Sequence, residues 1–195
     1  MTRRQPQAAP RRSLESLMEA YQQADEQALT ELVQRLSPQL RSFLLGPHVT
    51  RTHADDLLQE CWLRVHKARH SYEVGRPLLP WIYAIARYAR TDGYRRMARA
   101  ETHSADDADL TADPKSFARS VEANSDFRAL MANLPERQRE VVLLLKVRGL
   151  TLDETAQAMG STIGAIKLTA HRAYKNLRAT AHVLNQTASS YTQAN

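Results

Sequence analysis

The sequence predicts an all-α protein: two small helical domains joined by a flexible acidic linker, the second domain containing a helix-turn-helix. Three observations carry this. From Ser13 onward apolar residues recur at helical spacing. The pattern lapses between Glu101 and Asp126, where Glu101, Asp106, Asp107, Asp109, Asp113, Glu122 and Asp126 face only Lys115 and Arg119; so polar a stretch reads as a tether. Finally, Leu134–Arg178 reads as a long helix, a glycine stop, a short helix, a tight turn and a basic helix. The domain scheme is therefore a disordered basic arm (1–12), a first domain (13–98), a linker (99–125), a second domain (126–182) and a tail (183–195), with no further regulatory domain expected.

The 195 residues carry a net charge of +6 and a pI near 9.7, which favours a polyanionic partner. A single cysteine excludes an internal disulfide framework and fits a reducing cytoplasm. No apolar run approaches the length of a membrane span, so direct membrane insertion is not expected. Arg3, Arg4, Arg11 and Arg12 precede no hydrophobic stretch, so the basic arm is not a secretory signal.

Taken in order, Leu14, Leu17, Met18 and Tyr21 form the first amphipathic turns, and Asp25 caps a helix with Ala28, Leu32 and Leu36 on one face. Ser37-Pro38 restarts a helix that Gly46-Pro47 breaks. Thr52 and Asp55 read as a capping box opening a helix that buries Leu57, Leu58, Cys61, Trp62 and Val65, with Asp56, Gln59, Glu60 and Arg64 outside. Cys61, His66 and His70 are misaligned for one metal ion, and no second cysteine completes a tetrahedral set, so no metal and no cofactor is expected. Cys61 reads as a core residue.

Pro77–Pro80 reads as a loop, followed by a helix with Ile82, Ile85, Ala86 and Ala89 inside. A second stripe, Tyr83, Arg87, Arg90 and Tyr94, alternates aromatic and cation, with Arg95, Arg96 and Arg99 extending it. Guanidinium groups fix phosphates and aromatic faces stack on exposed bases, the means by which single strands are gripped. The alternative is a solvated arginine face. The acidic stretch that follows either covers the basic faces transiently or keeps the modules apart; the second needs fewer assumptions.

In the second domain Pro135 suits a helix start and Gly149 a stop. Thr151 with Glu154 is a capping box, Gly160 ends that helix, and Thr162 caps a third running from about Ile163 to about Arg178. Ile166, Ala170, Ala173 and Leu177 form its apolar stripe; Lys167, His171, Lys175 and Arg178 lie on another face. One stripe packs inward and the other suits the major groove. An ordinary helical hairpin with a solvated basic face is the plainer alternative.

The chain resembles the bacterial sigma factors of the extracytoplasmic-function (ECF) group, which keep only the second and fourth conserved sigma domains. The resemblance rests on Ala54–Glu60, Pro80–Arg87, Asp92 with Arg95-Arg96, Leu134–Glu140, the Thr151–Gly160 helix, Gly164–Lys167 and His171–Ala173, and covers roughly 14–98 and 124–180. It implies a stress-response transcription initiation factor that binds core RNA polymerase through Asp56, Gln59 and Glu60. It implies minus-ten promoter contacts by the Tyr72–Pro80 loop and by Tyr83, Arg87, Arg90, Tyr94 and Arg95. It also implies minus-thirty-five contacts by Thr162, Ile163, Gly164, Ala165 and Lys167, followed by Leu168, His171, Arg172 and Lys175. Control by an anti-sigma factor, often membrane-bound, is a further implication. Two departures stand out: Tyr88 replaces a frequent Asn, and Leu168-Thr169 replaces a frequent polar pair, leaving fewer bidentate base contacts. Another reading is a helix-turn-helix regulator that is not a polymerase subunit. No nucleophile–base set, paired carboxylates or phosphate-cradling glycine loop points to catalysis, so an enzyme is not expected.

Overall fold

The computed structural model describes residues 12–45, 51–103 and 130–193; the arm before Arg12, the Gly46-Pro47 break and the acidic residues from Asp106 to Asp126 lie outside the described residues. Among the described residues the chain is helical throughout: α1 (Leu14–Gln22), α2 (Glu26–Leu44), α3 (Arg51–Ala68), α4 (Leu78–His103), α5 (Glu136–Val142), α6 (Leu152–Met159) and α7 (Ile163–Gln193). No described helix is long and apolar enough to cross a membrane.

In the first module the cap expected at Asp25 forms, and Ser13 supplies a further cap that the sequence reading did not single out. Ser13 Oγ accepts from the Ser16 amide at 3.1 Å, and Asp25 Oδ1 from the Ala28 amide at 3.0 Å. Three expectations need correcting. Pro38 sits inside a continuous α2 and starts no new helix. Thr52 lies within the first turn of α3, and Asp55 turns outward to a bidentate pair with Arg41 at 2.5 and 2.9 Å, tying α2 to α3. The 77–80 segment is not all loop: α4 begins at Leu78, whose amide donates to Glu15 of α1 at 3.2 Å. Pro80 is tolerated there because first-turn amides have no partner within the helix.

Gly93 sets how closely α3 and α4 approach, since a Cβ there would lie 2.3 Å from Leu57 Cδ2. Ala54, Leu57, Cys61 and Val65 bury as read from the sequence, and Trp62 donates to Ser37 at 3.0 Å. Burial pushes the Cys61 thiol up to about 12. His66 Nδ1 meets the Tyr21 hydroxyl at 2.5 Å.

In the second module the long helix expected from Pro135 to Gly149 is α only to Val142 and then a π turn over Leu143–Val147. The widened turn rotates the apolar residues relative to one another. Val142 and Leu143 join a small core with Met131, Leu134 and Ala173, whereas Val141 and Leu144 join the main one. The Thr151/Glu154 capping box is complete in both directions at 2.8 and 3.2 Å. Gly160, at φ 55°, closes α6 in the left-handed region that favours glycine. Thr162 Oγ1 accepts from the Ala165 amide at 3.2 Å. The last helix does not stop near Arg178 but continues to Gln193, through most of the stretch read as a tail.

The modules are not held apart. α6 packs along α4, and one apolar cluster runs from Phe43, Leu44, Tyr83 and Ala86 to Val141, Leu144, Ala156 and Met159.

Candidate nucleic-acid interface

The Tyr83/Arg87/Arg90/Tyr94 stripe is not the outer face of α4. Tyr83 is 1% exposed, edge-on to Phe43 with ring centroids 5.1 Å apart, and burial pushes its hydroxyl up to about 12. Arg90 is 4% exposed. It donates to the Phe43 carbonyl at 3.0 Å, lies 4.7 Å over the Phe43 ring, and pairs with Glu140 and, at 3.3 Å, with Glu136 of α5. Arg87 lies 3.7 Å from the other Glu140 oxygen. Desolvation lowers the Arg90 pKa, but guanidinium starts so high that it stays charged. Burial likewise raises the Tyr94 hydroxyl. In this arrangement Tyr83, Arg90 and Tyr94 therefore do structural work at the module boundary. The period read from the sequence was right; its phase was not, because α4 packs on α2, α3 and α6 and buries a wide arc.

The face that does meet solvent is Tyr88, Arg95, Arg96 and Arg99. Tyr88 is 60% exposed, with the Arg87 guanidinium 5.9 Å from its ring centroid. Asp92, the acid among them, is engaged by Arg64 at 2.8 Å. Arg95 was read from the sequence and Tyr88 was missed. The signal was available: small Ala86, Ala89 and Gly93 mark the tightly packed side, and Tyr88 lies opposite Ala86 and Gly93. The loop leading here is braced: Gln22 Nε2 donates to the Arg69 and Tyr72 carbonyls at 2.7 and 2.8 Å, and Tyr72 packs edge-on to Trp81 at 5.6 Å.

On α3, Asp56 and Gln59 are exposed, with an apolar side chain, Leu63, 55% exposed beside them. Glu60 is instead drawn to Arg64 at 2.8 Å, within the network that holds Asp92.

On α7, Thr162, Ile163, Gly164, Lys167, Leu168, His171, Arg172 and Lys175 are all exposed, and Ala165 is partly so. Lys167 and His171 border an open groove with Lys146, Leu150, Leu152 and Tyr174. Arg137 donates to Ser161 at 3.1 Å and Asn176 to Gln138 at 2.9 Å, fixing the turn and α7 against α5. Thr169 donates its hydroxyl to the Ala165 carbonyl at 2.7 Å. Polar hydrogen-bonding reach toward base edges is thus thin, whereas cations for phosphates are plentiful.

Comparison with known proteins agrees with this two-part layout. Residues 32–100 match the family described as Sigma-70 region 2, and residues 125–177 match Sigma-70, region 4. The chain is 32% identical over 164 residues to the RNA polymerase sigma factor CarQ of Myxococcus xanthus, covering 83% of this chain and 93% of that one. It is 38% identical over 128 residues to the ECF RNA polymerase sigma factor SigF of Caulobacter vibrioides, covering 63% and 68%. The fold is shared with the sigma factor RpoE of Bartonella quintana, solved with the anti-sigma factor NepR, at TM-score 0.62 and 22% identity, covering 80% and 97%.

Proposed function

The chain belongs to the ECF group of the sigma-70 family, and from that membership we infer that it binds core RNA polymerase and directs it to promoter DNA, the first module taking the minus-ten element and the second the minus-thirty-five. The observation that carries the division of labour is the difference between the two basic surfaces. On α4 an exposed tyrosine stands among Arg95, Arg96 and Arg99, a combination suited to unpaired bases and their phosphates. On α7 a basic face follows a helix-turn-helix, suited to duplex. The minus-ten contacts are assigned to Tyr88, Arg95, Arg96 and Arg99, with Arg87 beside them. The minus-thirty-five contacts are assigned to Thr162–Ala165, Lys167, Leu168, His171, Arg172 and Lys175, read mainly through phosphates and DNA shape.

Core polymerase docks on the outer face of α3. Asp56 and Gln59 supply polarity and Leu63 an apolar anchor; exposed large apolar side chains of this kind are what binding surfaces centre on. Glu60 contributes after release from Arg64. An anti-sigma factor, membrane-bound or free, is the regulatory partner; the Bartonella relative, solved with such a factor, supports that class of partner. The chain acts in the cytoplasm, where core polymerase is, and needs neither metal nor cofactor.

Affinity for purified core polymerase tests the docking face. Asp56→Lys and Leu63→Ala should each weaken capture about tenfold or more while leaving helicity unchanged. Unchanged capture by both variants would remove α3 from the assignment.

A further inference from the structure

The first two turns of α7 carry apolar side chains that the fold leaves in solvent. Ile163 is 41% and Leu168 50% exposed, two of the five large apolar side chains left well exposed among the described residues. Ile166, Ala170 and Ala173 form the buried side of the helix. At about 3.6 residues per turn, Leu168 falls opposite them, on the outermost line of α7 with Gly164 and Lys175. Lys167 and His171 stand on one side of that line and Arg172 on the other, all of them exposed. No acid lies between Ser161 and Arg178. A surface of this charge fits a polyanion, and Leu168 sits at its centre.

Gly164 points the same way. Its backbone is not in the left-handed region, and a Cβ there would meet nothing within 4 Å. Neither conformation nor packing within the fold calls for glycine, which is a poor helix former. Its bare Cα, one turn before Leu168, lets the helix backbone come close to a ligand. Polar side chains free to read base edges are few beside it. The Thr169 hydroxyl is committed to the Ala165 carbonyl at 2.7 Å, and Thr162 Oγ1 to the Ala165 amide at 3.2 Å. In the major groove, the feature an aliphatic side chain can recognise is the 5-methyl group of thymine.

We propose that Leu168 is a specificity-determining residue that reads a thymine methyl group in the minus-thirty-five element, seated there by the close approach that Gly164 allows. The placement of α7 on that element rests on the sigma-factor reading above; thymine recognition itself needs only that α7 binds duplex. The flanking cations hold phosphates and give affinity without sequence preference. Leu168 adds the preference, so the selected element holds an A·T pair at a fixed position and in a fixed orientation.

The test selects duplexes from a random-sequence pool with the full chain, alone and bound to core polymerase. The best duplex is then remade with deoxyuridine at one thymine at a time. Deoxyuridine keeps the base pair and its O4 acceptor and lacks only the methyl group. At one position the replacement should weaken binding by the parent protein about fourfold, the effect of one buried methyl group. Leu168→Ala, with far-UV circular dichroism unchanged, should bind the thymine duplex more weakly by about the same factor and be indifferent to that replacement. Leu168→Met, which keeps an apolar side chain of similar size, should retain the parent's response. A parent protein indifferent to every replacement, a Leu168→Ala variant that responds as the parent does at every position, or failure to select any duplex would overturn the proposal. If the methyl is read but core is not captured, thymine recognition stands and the sigma-factor reading falls. If core is captured and no methyl is read, the reverse holds.

Discussion

Tyr88 carries the most specific consequence at the scale of single residues. Its ring is exposed on the basic side of α4, and base stacking on such a ring is worth about 1–3 kcal/mol. Tyr88→Ala should therefore weaken holoenzyme binding to a single-stranded minus-ten oligonucleotide about 5- to 160-fold, while Tyr88→Phe keeps most of the affinity. Equal losses for both would show that the ring face is not what binds. Cys61 and Tyr83 yield a pH prediction. Burial raises both to about 12, so the folded chain keeps protons that the unfolded chain begins to release near pH 9 to 10. The stabilisation is full below that range and is lost as pH rises toward about 12. Thermal melts should show the melting temperature falling from about pH 9 upward, and Cys61 should resist thiol reagents at pH 8 until the protein unfolds; rapid modification of native protein would contradict its burial. Residue chemistry of this kind was legible for Cys61, which shares its helix face with Ala54, Leu57, Leu58 and Val65. It was not legible for Arg90. An arginine in a basic stripe reads as solvent-facing until a carboxylate fifty positions later, Glu140, is seen to cover it.

At the scale of elements, the readable features were those fixed by local chemistry. Asp25, Thr151 with Glu154, Gly160 and Thr162 act where the sequence placed them. The misread ones depended on distant groups. Glu15 of α1 meets the Leu78 amide where α4 starts, and Arg41 of α2 engages Asp55. Thr151→Ala should cost about 1 kcal/mol and lower the melting temperature by a few degrees; no change would mean the capping box is redundant. On α7, where cations outnumber base-reading groups, Arg172→Ala or Lys175→Ala should lower affinity for all duplexes alike. Each should reduce the salt dependence of binding by about one counterion. Loss confined to one promoter sequence would instead indicate base readout.

At the scale of the whole molecule, the all-α class and its two modules followed from periodicity and from the acidic interval between them. Their mutual packing did not, because nothing local in Glu136–Glu140 distinguishes a solvated helix start from one clasping Arg87 and Arg90. The stripe first read as a DNA-gripping face thus became the seam, and the gripping face proposed for α4 is the exposed one a fraction of a turn away, Tyr88, Arg95, Arg96 and Arg99. The central claim remains that one chain captures polymerase and gives it a promoter. In vitro transcription with purified core polymerase tests it most directly. Initiation at a defined start site that depends on adding this protein, and that Tyr88→Ala impairs without lowering core capture, is the predicted result. Binding to duplex DNA with no capture of core and no start-site-specific transcript would contradict the account and leave a helix-turn-helix regulator in its place.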